Sequence, residues 1–171
     1  MVAEGGAMPH SVMLHASFNP LEVMTSIVIA IVASYAALTL SARVGARSGT
    51  ARLPWLIGGG FAVGLGIAGM HFVGMLAMKL PVRVAYDSTL TIISFGVAAL
   101  ASTAALALAT GSGLRVRTML LAASAFGIAV SGMHYVGMAA MRGPFEVTHD
   151  VGRVMLSVAI AIVASAVAFV L

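Results

Sequence analysis

GMHFVGMLAM, from Gly69 to Met78, returns as GMHYVGMAAM from Gly132 to Met141. The two stretches differ only at Phe72 against Tyr135 and Leu76 against Ala139, so a histidine, three methionines and two glycines recur in one spacing. At about 100° per residue, His71, Gly74, Met75 and Met78 share one helical face, and His134, Gly137, Met138 and Met141 share its counterpart. Each face offers imidazole and thioether to whatever lies between the two helices.

The surrounding chain decides what kind of helices these are. Of its 171 residues 61% are hydrophobic and 8% charged, with a mean hydropathy of +1.09, well outside the range of soluble domains. Apolar segments of spanning length run from Leu21 to Ala42, Leu53 to Met78, Leu90 to Ala109, Met119 to Met141 and Val154 to Leu171, against roughly 20 residues needed to cross a bilayer. The expected fold is an all-α, polytopic transmembrane bundle of five helices, residues 21–171, preceded by an outer segment, residues 1–20. That segment contains Glu4, Pro9 and two histidines but no basic region, so it does not read as a cleaved signal peptide.

Charge gives an orientation. Arg43, Arg47, Arg52, Arg115 and Arg117 follow the first and third helices, while Lys79, Arg83, Arg142 and Arg153 lie on the other side together with all the acids, Glu4, Glu22, Asp87, Glu146 and Asp150. The purely positive loops are placed in the cytoplasm, which puts the amino terminus and both His/Met stretches outside. Short basic loops form no continuous patch, so the high pI of about 10.4 does not point to nucleic acid. No cysteine is present, which excludes disulfides and thiolate ligands.

An internal repeat underlies the twin stretch. Asn19, Asp87 and Asp150 are each followed seven residues later by Ser26, Ser94 and Ser157, and then by the Ala-Ser pairs ending at Ser34, Ser102 and Ser165. Small-residue stripes such as Ser94, Ala98, Ala101 and Ala105 read as close-packing surfaces between membrane helices. In the even helices Gly64, Gly69 and Gly74 match Gly127, Gly132 and Gly137, and these too read as packing positions. The caps predicted for the odd helices are Asn19, Asp87 and Asp150, and Pro81 and Pro144 stop the even ones. The repeats run over about 19–81 and 87–144, with a partial third over 150–171 whose even helix is missing; the chain reads as a fragment or an odd-numbered variant.

Histidine inside a spanning segment is a functional candidate. Thioether with imidazole, and no cysteine or acidic cluster in the stretch, selects a soft or borderline metal, and copper fits best. The ligand set is His71, His134, Met70, Met133, Met75 and Met138. Further candidates are His15, His149, Met78, Met141 and Tyr135, with Asp87 and Asp150 as carboxylates able to orient a histidine. No Ser-His-Asp set, HExxH motif, phosphate loop or intramembrane carboxylate pair supports an enzyme. A b-type haem protein with His71 and His134 as axial ligands is the alternative, and a metal-free structural or transport module is the third reading.

The stretches Met70-His71-Phe72-Val73 and Met133-His134-Tyr135-Val136, each followed by Gly-Met, resemble the MHYT domain, a bacterial integral-membrane sensor module. The resemblance extends from about Phe18 onward. It implies a bundle of about six helices with three such motifs near the outer face of the inner membrane, and a copper site sensing oxygen, carbon monoxide or nitric oxide. It also implies output through cyclic-di-GMP enzymes or a histidine kinase; homodimerisation stays open. Valine at Val73 and Val136 replaces the family's threonine, and Phe72 lacks the phenol of Tyr135.

Overall fold

The computed structural model describes residues 17–111, 116–144 and 150–170. Among these residues lie five helices: α1 (Pro20–Gly45), α2 (Leu53–Ala77), α3 (Ser88–Ala109), α4 (Val116–Ala139) and α5 (Val151–Val170), with a 3-10 turn at Gly49–Arg52 leading into α2. Four are long and apolar enough to cross a membrane, and α5 is apolar over Val151–Val167. The chain is a multi-pass membrane protein of the all-α class, as its sequence predicts.

The odd helices begin alike because the same chemistry opens each. Asn19 Oδ1 accepts the Leu21 N–H at 3.0 Å, Asp87 Oδ1 the Leu90 N–H at 3.0 Å and Asp150 Oδ1 the Arg153 N–H at 2.9 Å. First-turn amides have no partner within their own helix, and these oxygens supply one. Pro20, which has no N–H to satisfy, follows the first cap.

The helices pack in chain order, α1 on α2, α2 on α3, α3 on α4 and α4 on α5, and α2 meets α4 only sparsely. Small residues make the interfaces. A β-carbon at Gly64 would stand 2.5 Å from the Ala99 Cα of α3, and one at Gly127 would stand 2.7 Å from the Ile162 Cα of α5. Gly69 and Gly132 have open space instead, so the packing role expected for all six glycines does not extend to these two. Large side chains such as Leu21, Ile31 and Leu38 on α1 face outward, the arrangement that suits lipid surroundings. Helical hydroxyls turn back on their own carbonyls, Ser34 to Ala30, Thr103 to Ala99 and Ser165 to Ala161, which keeps these donors paired within hydrocarbon.

Two small ribbons were not anticipated. Strand β1 (Ser17–Phe18) pairs antiparallel with β2 (Met78–Lys79), and β3 (Ala85–Tyr86) pairs likewise with β4 (Met141–Arg142). One more backbone bond extends each, from the Asn19 N–H to the Ala77 carbonyl at 2.9 Å and from the Asp87 N–H to the Ala140 carbonyl at 2.8 Å. Met78 and Met141 therefore stand in strands and not on the helical faces predicted for them. The physical reason is local: chain entering α1 or α3 captures a carbonyl at the end of the paired even helix and draws the adjoining residues into an extended pairing. Lys79–Glu22 at 2.9 Å and Arg142–Asp87 at 3.1 Å brace the two ribbons.

Candidate metal centre

Although α2 and α4 flank α3, they come together at their histidines. The Nδ1 atoms of His71 and His134 are 3.3 Å apart, with ring centroids at 4.8 Å and planes inclined by 67°. The backbone one residue before each ring is held from a neighbouring helix. Ser26 Oγ on α1 donates to the Met70 carbonyl at 3.0 Å, and Ser94 Oγ on α3 donates to the Met133 carbonyl at 3.0 Å. In the sequence these serines read as members of small-residue packing stripes, which does not disclose their donor role. The available signal was that serine and motif recur together in both repeats.

The third serine behaves differently. Ser157 Oγ donates to the Val154 carbonyl at 2.8 Å and lies 2.7 Å from the Tyr135 hydroxyl, which is thereby the donor to it. Phe72, the counterpart of Tyr135, stacks on Phe95 at a centroid distance of 5.2 Å and an inclination of 14°. Phe72 finds Phe95 of α3 to stack on, where the matching position of α5 is Val158, and the Tyr135 hydroxyl meets Ser157.

Glycine lets the rings approach. A β-carbon at Gly137 would stand 2.5 Å from His71 Nε2, whereas one at Gly74 would meet only Ser26 Oγ, at 3.4 Å. His71 Nε2 is buried and makes no hydrogen bond among the described residues. Of the candidate thioether ligands, Met133 is 2% exposed and also fills the apolar cluster with Ala68 and Ala98. Met75 and Met141 are buried, while Met70, Met78 and Met138 are half-buried. His15 and His149 lie outside the described residues.

At the rim, the Asp87 carboxyl is held below its usual range, first by the Leu90 N–H and then by the Arg142 guanidinium. Burial pushes the Tyr86 phenol up, partly offset by Lys79. Tyr86 ends β3 and Asp87 links it to α3, at the same end of the bundle as the histidines.

The 3.3 Å separation is that of a hydrogen bond between the two rings, and it also matches the spacing of two nitrogens on one tetrahedral metal ion. Ligand nitrogens about 2.0–2.1 Å from a tetrahedral metal stand about 3.3–3.4 Å from one another. Among the described residues no further His, Cys, Asp or Glu gathers with them into a group of three.

A family model described as a bacterial signalling protein N-terminal repeat, MHYT, matches residues 64–122 and again 127–171. The chain belongs to the MHYT family. It is 42% identical over 156 residues to the bifunctional diguanylate cyclase/cyclic di-GMP phosphodiesterase MucR of Pseudomonas aeruginosa, covering 91% of this chain and 23% of that protein. It is 35% identical over 151 residues to the cyclic di-GMP phosphodiesterase NbdA of the same organism, covering 88% of this chain and 19% of the relative. With the signaling protein YkoW of Bacillus subtilis it shares 33% identity over 128 residues, 75% of this chain and 16% of that one. The MHYT chain thus spans less than a quarter of each of these relatives. No solved structure matches it.

Proposed function

We propose that this MHYT chain is a membrane sensory input domain that holds copper between His71 and His134 and responds to a diatomic gas, oxygen, carbon monoxide or nitric oxide, or to the metal's redox state. The observation that carries the reading is the 3.3 Å approach of two Nδ1 atoms from different helices at one end of the bundle. Bound copper would supply a one-electron couple and an open coordination position. Soft thioethers close in sequence, Met70 and Met133 next to the histidines and Met75 and Met138 four residues on, suit that ion.

The chain's own residues do the rest. His71 comes from α2 and His134 from α4, so the separation of their nitrogens is tied to the position of one helix against the other. Ser26 and Ser94 fix the backbone beside each ring from α1 and α3, so a change at the imidazoles reaches four helices. The favoured state of the bundle shifts only as far as the ligand prefers one arrangement over the other. The amino-terminal side faces outward and the arginine-bearing ends face the cytoplasm of a bacterial cell. There an output domain that makes or degrades cyclic di-GMP, as the names of two relatives describe, or a histidine kinase, receives the shift. The MHYT chain itself is a sensor and not an enzyme in this reading.

Haem is the alternative and fits less well. Axial nitrogens on opposite sides of one iron stand about 4 Å apart with a macrocycle between them, twice the usual metal–nitrogen length. The test is metal analysis by mass spectrometry with an absorption spectrum on detergent-purified protein, comparing wild type with His71→Ala/His134→Ala. Near-stoichiometric copper lost in the double variant is expected. No copper in either, even after reconstitution with Cu(I), would leave a packing motif; a haem band lost in the variant would make it an electron-transfer protein.

A further inference from the structure

The opposite end of the bundle carries a feature the histidine pair does not use. Arg43 and Arg47, one turn apart near the end of α1, both stack on Trp55 in the first turn of α2, with guanidinium carbons 5.3 and 4.3 Å from the ring centroid. Arg47 Nη1 also donates to the Arg43 carbonyl at 3.2 Å, which draws the second guanidinium back along the helix. Arg52 is committed elsewhere, donating to the Ala107 carbonyl at 3.0 Å and to Thr110 Oγ1 at 2.8 Å at the end of α3. Arg117 is exposed in the first turn of α4.

Charge balance separates the two ends. At the histidine end Lys79 and Arg142 meet Glu22 and Asp87. At the arginine end no acidic residue occurs among the described residues, and neither Arg43 nor Arg47 meets a carboxylate there. Two guanidiniums are therefore held in place by an aromatic ring while their charge stays uncompensated. Tryptophan favours the membrane–water interface, and guanidinium binds phosphate through paired N–H donors. Exposed Leu53 and Ile57 lie on either side of Trp55 in sequence and offer apolar surface to an acyl chain.

We propose that Arg43, Arg47 and Trp55 form a binding site for the phosphate of an anionic phospholipid headgroup at the arginine end of the bundle. Trp55 preorganises the two guanidiniums, and the lipid phosphate supplies the missing countercharge. The site is independent of the metal reading, since Trp55 and His71 are 16 residues apart on one helix, about 24 Å along its axis.

Native mass spectrometry of the full chain released from detergent tests it, with phosphatidylglycerol, phosphatidylcholine and inorganic phosphate offered separately. Wild type should retain phosphatidylglycerol over phosphatidylcholine, and Arg43→Gln/Arg47→Gln should lower that retention about tenfold. Arg43→Lys/Arg47→Lys keeps the charge and should restore part of it; Trp55→Leu should weaken it with both arginines present. Circular dichroism and gel filtration identify any variant that fails to fold, and the wild-type lipid preference stands as a separate reading. Equal retention of the two lipids, or phosphatidylglycerol retention unchanged in a folded glutamine variant, would overturn the proposal and leave the arginines to an acidic protein segment. Inorganic phosphate bound as tightly as lipid would overturn the lipid assignment.

Discussion

Gly137 of α4 lies against the imidazole of His71 on α2, so close that a β-carbon would stand 2.5 Å from Nε2. Its repeat counterpart Gly74 would place a β-carbon 3.4 Å from Ser26 Oγ, which is ordinary contact distance or slightly tighter. Among the described residues the same motif glycine thus has a ring to seat at Gly137 and not at Gly74. Gly137→Ala should displace His71 and weaken copper binding about tenfold, the lower range for a change beside a metal ligand, while Gly74→Ala leaves it nearly unchanged. Copper titration of both variants, monitored by competition with a Cu(I) chelator, checks the difference; equal affinities would show that the ring is not seated on Gly137.

Ser94 is fully buried and donates to the Met133 carbonyl, whereas Ser26 makes the same bond from a half-buried position. Ser94→Ala should cost about 0.5–1.5 kcal/mol, the range for one net hydrogen bond, and Ser94→Val more, since there is no room for the added methyl groups. Thermal unfolding in detergent should rank the variants wild type, alanine, valine in falling stability.

Backbone contact separates the motif glycines from their neighbours. Gly64→Ala and Gly127→Ala force a β-carbon into the main chain of α3 and α5 and should each destabilise by about 1–3 kcal/mol. Gly69→Ala and Gly132→Ala meet open space, and the better helix propensity of alanine should stabilise by up to about 1 kcal/mol. Unfolding midpoints moving in the same direction for all four would contradict the packing described.

Acid should loosen the β3–β4 end through Asp87. The Leu90 N–H and Arg142 lower its folded pKa beneath the unfolded value, so the carboxylate's stabilisation is complete above the ordinary value of 3.8 and is lost as pH falls through the folded one. Asp87→Asn keeps a capping oxygen without the charge. On acidification below about pH 4 the wild type should lose stability more steeply than this variant. Parallel pH profiles would mean that the Arg142 pair and the charged cap contribute nothing measurable.

The helices were legible because hydrophobicity and length leave few options for a chain of this composition. The caps were legible too, since Asn19-Pro20, Asp87 and Asp150 precede apolar runs at repeating distances. The pairing of His71 with His134 could only be suspected: spacing places each ring on its own helix, but contact depends on how α2 and α4 approach across α3. Ser26 and Ser94 were visible as recurrent small residues, yet a serine that packs and a serine that donates look alike in sequence. The ribbons were hidden for a further reason. Two-residue strands such as Ser17–Phe18 and Met78–Lys79 have no periodicity to read, and their existence rests on a pairing between residues some 60 positions apart.

Those ribbons clasp the α1–α2 and α3–α4 pairs at one end and leave the other ends to the shorter loops and arginines. In the proposed sensor each pair would act as a lever with its fulcrum at the clasp, beside the histidines. His71 lies six residues from Ala77, about 9 Å from the clasp, while Leu53 at the far end of the 25-residue helix lies about 36 Å away. On a rigid helix pivoting at the clasp, a sideways movement at the imidazole would be multiplied about fourfold by the time it reached Leu53. A metal ion that shifts a ring by a few tenths of an ångström would then be felt as about an ångström of separation on the opposite face of the membrane.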